Sequence, residues 1–234
     1  MSVEQHRTDP PPAYEAVPLP RREPLPDDAL LATARAHRDA MATRRTIRQF
    51  SDRPVSKEVI EACVSVAAGA PNGANYQPWH FVAVRDMDAK RRIRSAAEDE
   101  ERAFYAGGGG DEWIKALEPI GTGPEKPHLT VAPWLIVVFA ERWGVRADGS
   151  RRKNYYVPES VGIATGFLVQ ALHACRLASL IHTPNPMGFL NELLERPLNE
   201  KPTMILAVGH PAEDASFPRA AARKKPLADV LSIV

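Results

Sequence analysis

The sequence has little cysteine and no apolar run long enough to cross a lipid bilayer. Its two cysteines, Cys63 and Cys175, belong to no CxxC pair and no cysteine–histidine spacing that binds zinc, so we expect neither a disulfide nor a metal site. No apolar run reaches the roughly 18 residues of a membrane helix, and the first residues lack the apolar core of a secretion signal. We therefore expect a cytoplasmic protein without a membrane anchor.

An excess of charge of either sign is also missing. The formal net charge is +1, whereas a nucleic-acid-binding protein usually carries a basic excess along one face. No GxGxxG or GxxxxGK[ST] motif follows a predicted strand, which disfavours a Rossmann or P-loop nucleotide site. With 234 residues, 44% of them hydrophobic, the chain is long enough for one sizeable α/β domain.

Proline divides the chain into an arm and a domain. Prolines at positions 10, 11, 12, 18, 20, 24 and 26 favour extended backbone, so we expect residues 1–26 to form an arm that is disordered at its start. Residues 27–234 form the domain. Periodicity predicts helices from Asp27 or Asp28 toward Thr43, from Ser56 past Ala67, over residues 86–105 and over about 159–177. It predicts core strands at 80–84, 134–139 and 204–208.

Two segments carry the strongest functional signal. Arg44, Arg45 and Arg48 place three guanidinium groups within about one helical turn, and the planar fork of a guanidinium suits phosphate oxygens. In the second segment, Pro71, Asn72 and Gly73 form turns whose backbone amides can approach a planar ligand closely. Alone, the arginines would be more typical of a solvated helix end; together, the segments indicate an anion clamp beside a flavin.

These segments resemble the nitroreductase-type FMN enzymes and, within them, the iodotyrosine deiodinase branch. The resemblance runs from about Pro18 to the C-terminus and includes Tyr-Tyr-Val-Pro-Glu-Ser at 155–160, His-Thr-Pro at 182–184 and Val-Gly-His-Pro at 208–211. It implies an α+β fold with a mixed central sheet flanked by helices. It also implies an intertwined homodimer with FMN at the subunit interface, a strap near Val17 that wraps the partner, and a helix near Gly162 and Gly166 at the dimer centre.

The resemblance also assigns residues to the cofactor. Arg44, Arg45 and Arg48 contact the phosphate and ribityl chain, and the loop at 72–74 lines the isoalloxazine. Near the C-terminus, Lys224, with Arg223 as neighbour, stands where the family has a phosphate-binding basic residue, usually arginine. The cofactor set is Arg44, Arg45, Thr46, Ile47, Arg48, Asn72, Gly73, His182, Thr183, Arg223 and Lys224.

Thr183 is the predicted catalytic residue. In the deiodinase branch a threonine hydroxyl at this position bonds flavin N5, and a hydroxyl can both donate and accept, which favours one-electron steps. The alternative is an ordinary threonine at a strand end. His182 can approach the flavin edge, although a strand histidine satisfied by its neighbours is the more common case, and His80, His128, His173 and His210 receive that same interpretation.

A predicted lid at about 98–130 carries the substrate set. Glu101 and Tyr105 lie four residues apart on one helix face, and Lys126 stands seven residues before Pro133. These spacings match the deiodinase lid, which implies that Glu101 receives a substrate ammonium, Lys126 its carboxylate and Tyr105 its ring or polar end. Ala74 completes the substrate set. The neighbours Glu98, Asp99 and Glu100 are expected to face solvent.

Two features depart from the family's lid. Gly107 to Gly110 are each about 1 kcal/mol less favourable in a helix than alanine, so the lid is expected to be mobile. Pro127 disfavours the α region at Lys126. Both could change lid closure and substrate preference.

The sequence as a whole therefore predicts reductive dehalogenation of halotyrosines by FMN, which receives electrons from NAD(P)H or a reductase. Two alternatives remain open at this point: an NAD(P)H-dependent nitroreductase of the same fold, and a non-enzymatic protein that binds flavin and an amino acid. A flavin-fragmenting benzimidazole synthase shares the scaffold but gives no reason for Glu101, Tyr105 and Lys126.

Overall fold

Four strands of alternating direction form the centre of the computed structural model, which describes residues 7–8 and 13–234. In spatial order they are β2 (Trp79–Val84), β3 (Trp134–Glu141), β7 (Glu200–Gly209) and β6 (Ala178–His182), each antiparallel to its neighbour. All three predicted core strands are confirmed. The α+β class is confirmed as well; the four strands are antiparallel to one another, and the isolated bridge of Thr46 to Ser179 on β6 is parallel.

Strand β3 is the core of the molecule because both of its faces are covered. Leu135, Val137 and Phe139 belong to one apolar cluster, whereas Trp134, Ile136, Val138 and Ala140 belong to the other. A strand buried on both faces needs a continuous apolar run, since successive side chains point to opposite sides. The sequence Trp-Leu-Ile-Val-Val-Phe-Ala meets that need.

Seven helices surround the sheet in the described residues. They are α1 (Asp27–Ala42), α2 (Lys57–Ala68), α3 (Met87–Ala103), α4 (Asp111–Leu117), α5 (His128–Val131), α6 (Val157–Ala174) and α7 (Phe189–Leu193). Helices α3, α5 and α7 bury side chains against one face of the sheet, and α2 and α6 against the other. Short 3₁₀ turns lie at Gly73–Asn75, Glu118–Ile120, Arg219–Ala222 and Leu227–Asp229.

A small second sheet lies beside the start of α6. It joins β1 (Arg7–Thr8), β4 (Trp143–Arg146) and β5 (Arg151–Lys153), with β1 parallel to β4. Residues 13–26 are exposed and form no helix or strand, as an extended arm would. The predicted disorder falls on the first dozen residues, of which all but 7–8 lie outside the described chain.

Helix α1 differs from the sequence-based expectation in two ways. Its N-cap is Pro26, and Asp27 and Asp28 lie in its first turn. Carboxylates there stabilise a helix, because they lie near the positive end of its dipole. It was expected to pack through its apolar residues, yet none of its residues is buried within the described chain. Leu30 and Leu31 are about half exposed, at 52% and 51%.

Across the described residues no helix is both long and apolar enough to span a membrane.

Candidate active site

A cavity of about 450 Å³ lies between the C-terminal half of α3, the connection from α4 to α5, and the end of β6. It brings together six of the predicted site residues. They are Arg48, Glu101, Tyr105, Lys126, His182 and Thr183. Trp113, His128 and the ring of Phe104 also line it. Glu101 and Tyr105 are close in sequence, but Lys126 is not. The fold therefore brings Lys126 to the other two predicted lid residues.

Lys126 links the three predicted lid residues. Lys126 Nζ lies 2.8 Å from Glu101 Oε2, with the lysine side chain only 4% and the glutamate 14% exposed. Lys126 Nζ also donates to Gly123 O at 2.6 Å and lies 5.8 Å from the centre of the Tyr105 ring. The Tyr105 hydroxyl donates to Thr122 O at 3.0 Å. The cavity therefore holds a buried negative and positive charge side by side, next to an aromatic ring.

The end of α3 turns through a wider helical turn to place Tyr105. After Ala103 the chain follows a π-helical turn, Phe104–Gly108, in which Gly107 adopts a φ of 121°. Only glycine adopts that conformation readily, and Gly109 packs so closely that a Cβ would lie 2.3 Å from the Phe104 ring. The glycine run is thus built into the turn that ends the helix. Its predicted mobility stays a prediction.

Glu98 anchors the segment that contains Lys126, and the expectation that Glu98 faces solvent is wrong. Its Oε1 accepts from the backbone N of Lys126 at 2.7 Å and from Arg94 Nε at 2.7 Å, and its side chain is 14% exposed. Burial pushes the pKa of Glu98 upward, but these donors outweigh burial, and the pKa lies below its usual value. Asp99 does face solvent, paired with Arg102. Glu98 therefore fixes the position of Lys126.

Two buried histidines face the cavity. Burial lowers the pKa of His182 to about 3, with Lys126, His128 and Arg48 adding to the shift. Burial likewise lowers the pKa of His128 to about 4, with further contributions from Lys126, Arg48 and Arg94 against the opposing effect of Glu98. Both rings are neutral at physiological pH. Nε2 of each ring lacks a hydrogen-bond partner in the described chain, so neighbouring residues do not satisfy that nitrogen.

The arginine segment lies beside the edge strand β6. Thr46 forms a parallel bridge with Ser179, and Ile47 N donates to Ser179 O at 3.4 Å, while the Ile47 side chain packs on the core. Arg45 stacks over Phe217 at 5.0 Å from the ring centre. Its Nη1 donates to two backbone oxygens, but its buried Nε has no partner among the described residues. Burial lowers the pKa of Arg48.

The loop before β2 has an unusual backbone. Ala74, Asn75 and Gln77 have φ values of 53°, 54° and 47°, in the left-handed region that residues other than glycine rarely adopt. Asn72 Oδ1 accepts from Gln77 N at 2.7 Å and stabilises this course. A Cβ on Gly73 would lie 2.5 Å from Tyr155 O, so only glycine fits there.

One chain does not bring the arginine segment and this loop together. The loop leads into Trp79 on the edge strand β2, and Trp79 pairs with Ala140 of β3. On the opposite edge, Ser179 of β6 pairs with Val208 of β7, and Val208 in turn pairs with Trp134 of β3. Trp134 and Ala140 stand six residues apart on β3, or about 20 Å along the strand. The two segments therefore lie at diagonally opposite corners of the sheet.

The other nine predicted residues do not line this cavity. Asn72 and Gly73 stay with the loop before β2, as does Ala74. Arg223 and Lys224 are exposed after the 3₁₀ turn at Arg219–Ala222. The remaining four come directly before Arg48, which does line the cavity; they are Arg44, Arg45, Thr46 and Ile47.

Sequence reasoning missed three contributors, two at the cavity and one at the loop before β2. His128 had been set aside as an ordinary core histidine, although it lines the cavity. Ser160 was not singled out, although its Oγ accepts from Gly73 N at 3.4 Å. Glu98 was placed in solvent. Each owes its place to contacts across more than 25 residues of sequence, and no local pattern signals them. The described residues contain no cluster of three or more potential metal ligands.

Comparison with known proteins identifies the relatives of this chain. Residues 41–210 match the model of the nitroreductase family. The chain is 49% identical to an iodotyrosine deiodinase of Haliscomenobacter hydrossis over 191 residues, which cover 82% of this chain and 86% of that protein. It is 37% identical to an iodotyrosine deiodinase of Nematostella vectensis, over 92% of this chain and 81% of the other.

The same relationship appears in three dimensions. The structure resembles a crystal structure of oxidized iodotyrosine deiodinase bound to FMN and 3-iodo-L-tyrosine, with a TM-score of 0.66 and 32% sequence identity. The match covers 76% of this chain and 90% of that one. A BluB-like flavoprotein from Clostridium difficile, at 20% identity and a TM-score of 0.63, shares the fold.

Proposed function

The chain belongs to the nitroreductase family, and from this membership we propose that it is an FMN-dependent oxidoreductase that removes halogen from halotyrosines reductively. The observation that carries the proposal is the convergence of Glu101, Lys126 and Tyr105 in one cavity beside Thr183 and Arg48. A carboxylate and an ammonium next to an aromatic ring complement the opposite charges and the phenol of an amino acid such as tyrosine.

The residues present fit FMN, provided that a second copy of the chain completes the site. Arg45 offers a buried Nε–H that no described residue accepts, and Arg44 and Arg48 add two more guanidinium groups for a phosphate. The loop at 72–74 offers backbone amides at a place where Gly73 already excludes a Cβ. Because these groups lie at opposite corners of one sheet, a homodimer that brings one chain's loop to its partner's arginines fits both.

FMN in its reduced form supplies the two electrons that, with a proton, replace a carbon–halogen bond by a carbon–hydrogen bond and release halide. The protein's own residues bind and orient. Glu101 accepts from the substrate ammonium, Lys126 donates to its carboxylate, and Ala74 contributes its backbone. Thr183 presents a hydroxyl that can donate or accept where the ring of the cofactor is held. The lid over these groups excludes water, which strengthens each polar contact.

Anaerobic turnover tests the proposal directly. FMN-loaded protein, reduced with dithionite, is mixed with iodo-, bromo- or chlorotyrosine, and free halide is measured beside reduction of a nitroaromatic compound. We expect stoichiometric halide and tyrosine. Rapid nitroaromatic reduction by NAD(P)H without halide would identify a general nitroreductase instead. Tight halotyrosine binding without halide release would identify a non-enzymatic binding protein.

The substrate assignment predicts a large effect of Glu101→Gln. The change keeps the shape of the side chain but removes the charge that meets an ammonium, so halotyrosine affinity should fall by about tenfold or more while FMN stays bound. Affinity is measured from flavin fluorescence during titration. Asp99→Asn is the matched control, because Asp99 is exposed and paired with Arg102 outside the cavity. Equal affinity of Glu101→Gln and the wild type would rule out the zwitterion assignment.

The proposal extends to electron donor and location. NAD(P)H or a separate reductase supplies electrons, and the rate of anaerobic flavin bleaching by NAD(P)H separates the two. Two free thiols, Cys63 and Cys175, support a reducing compartment, and we propose the cytoplasm. Cell fractionation tests that location.

A further inference from the structure

Glu101 and Lys126 are each other's partners in this structure, and a zwitterion bound between them has to replace that contact. Their ion pair, 2.8 Å long, is almost completely buried. When a substrate ammonium meets Glu101 and its carboxylate meets Lys126, one internal pair is exchanged for two intermolecular ones. Removing one partner from a buried carboxylate is costly unless another donor takes its place.

Lys126 is well prepared for this exchange, because other acceptors hold it. Its Nζ donates to Gly123 O at 2.6 Å and approaches Thr122 Oγ1 at 3.4 Å, and its backbone N is fixed by Glu98. Glu101 has less support. Its second oxygen, Oε1, faces His182 Nε2 across 3.8 Å, which is longer than a hydrogen bond.

His182 is the nearest group able to support Glu101. It is the last residue of β6, it is buried, and its Nε2 has no hydrogen-bond partner in the described residues. Such a group needs an explanation, because buried polar atoms are nearly always bonded. The charged and titratable side chains around it are Arg48, Lys126, His128 and Glu101. Since the ring is neutral, it can donate from Nε2 in one of its tautomers.

We propose that His182 is a positioning residue that donates from Nε2 to Glu101 Oε1 when an amino acid separates Glu101 from Lys126. A shift of less than about 1 Å closes the present gap to hydrogen-bond length. The carboxylate is then held in place for the substrate ammonium. This inference rests on the proposed function and deepens it, because it makes selectivity for amino acids over simple phenols depend on His182.

Two variants and two ligands test the inference. His182→Phe keeps a planar ring but removes the donor, and His182→Gln restores an N–H donor at nearly the same reach. FMN-loaded oxidised protein is titrated with 3-iodo-L-tyrosine and, separately, with ortho-iodophenol, which has no ammonium or carboxylate. We expect His182→Phe to lose about tenfold in iodotyrosine affinity, with little change for iodophenol, and His182→Gln to recover most of the loss.

Nitrogen NMR of histidine-labelled wild-type protein gives a readout that does not depend on turnover. Adding 3-iodo-L-tyrosine should shift the His182 Nε2 resonance toward that of a hydrogen-bonded N–H, and ortho-iodophenol should leave it unchanged. His182→Phe identifies the resonance by its disappearance.

Several results would overturn the inference. An equal loss of affinity for both ligands in His182→Phe would show that His182 only packs in the cavity. Unchanged iodotyrosine affinity would show that His182 does not support Glu101 when the amino acid binds. Wild-type protein that binds iodotyrosine but releases no iodide would defeat the proposed function and leave the His182 comparison standing. Wild-type protein that does not bind iodotyrosine would defeat both.

Discussion

Single residues in this protein show most clearly how burial controls chemistry. His128 and His182 lie in the same cavity, with ring centres 6.0 Å apart, and cations surround both. Burial disfavours the charged imidazolium, and the nearby positive charges disfavour it further, so both pKa values fall to about 4 and 3. The cavity therefore keeps two neutral rings beside the Glu101–Lys126 pair.

The lowered pKa values predict a loss of stability in mild acid. Unfolded histidine titrates near 6.5, so between about pH 6.5 and pH 4 the unfolded chain binds protons that these folded residues refuse. The free energy of unfolding should thus decrease as the pH is lowered, by up to about 1.4 kcal/mol per pH unit for each histidine. Above that window neither ring should make the free energy of unfolding depend on pH. Denaturant unfolding at several pH values measures the slope.

The matched variant for this prediction is His182→Gln, which cannot take up a proton. Its unfolding free energy should depend less on pH than that of the wild type between about pH 6.5 and pH 4. His37→Gln, at an exposed position of α1, should leave the slope as it is. Identical slopes for all three proteins would contradict the burial of a neutral His182.

At the scale of elements, the loop before β2 depends on one close approach. Gly73 lies against the backbone of Tyr155 at the entrance to α6, and its N donates to Ser160 Oγ on that helix. The neighbouring residues Ala74 and Asn75 take up left-handed backbone conformations. The sequence predicted a turn here from Pro71 to Gly73, but the partner that fixes its shape comes from a distant helix.

Gly73→Ala should weaken FMN binding without unfolding the protein. The new Cβ would meet Tyr155 O at 2.5 Å, and because that atom is backbone, the loop itself must move. We expect a cost on the order of 1–3 kcal/mol, expressed mainly as lower FMN affinity in a fluorescence titration. Gly123→Ala is the control, since a Cβ there would meet no described atom within 4 Å and the position has no positive φ. Equal FMN affinities would show that the loop does not contact the flavin.

Most elements were predictable from local pattern. The helix predicted over about 159–177 is α6, Val157–Ala174, and the charged helix predicted over 86–105 is α3 with its capping Asp86. Apolar periodicity indicates α6, which has no side-chain N-cap, and α3 begins at Asp86, whose carboxylate accepts from Ala89 N. The π-helical turn at Phe104–Gly108 was not predicted, because a fifth residue in the turn is decided by how Phe104 packs on Gly109 and Trp113.

At the scale of the molecule, apolar side chains are left uncovered on three segments: the arm, α1 and the C-terminal residues. The arm exposes Tyr14, Val17 and Leu19, α1 exposes Leu30 and Leu31, and the C-terminal residues expose Leu227, Val230 and Ile233. A subunit interface formed by these segments would cover their apolar side chains. Together with the separation of the two cofactor segments, this pattern supports the proposed homodimer.

Leu31→Glu should therefore weaken the dimer and FMN binding together. A buried carboxylate at an apolar interface is costly, so sedimentation should show a shift toward monomer and flavin content should fall in parallel. Met87→Glu places the same charge at an exposed apolar residue that begins α3, and it should change neither quantity. A monomeric Leu31→Glu protein that keeps its flavin would show that one chain is enough for the cofactor.

The sequence by itself determined the family, three of the four strands of the central sheet and four of the seven described helices, because apolar periodicity and residue chemistry are local properties. Tertiary structure alone decided that Glu98 leaves solvent to hold Lys126 and that the arginines and the loop at 72–74 lie at opposite corners of the sheet. It also decided that His128 and His182 face the cavity, each with an Nε2 that no described residue bonds. The reason is physical: burial, desolvation and distance depend on which segments pack together, and packing joins residues whose separation along the chain carries no signal of it.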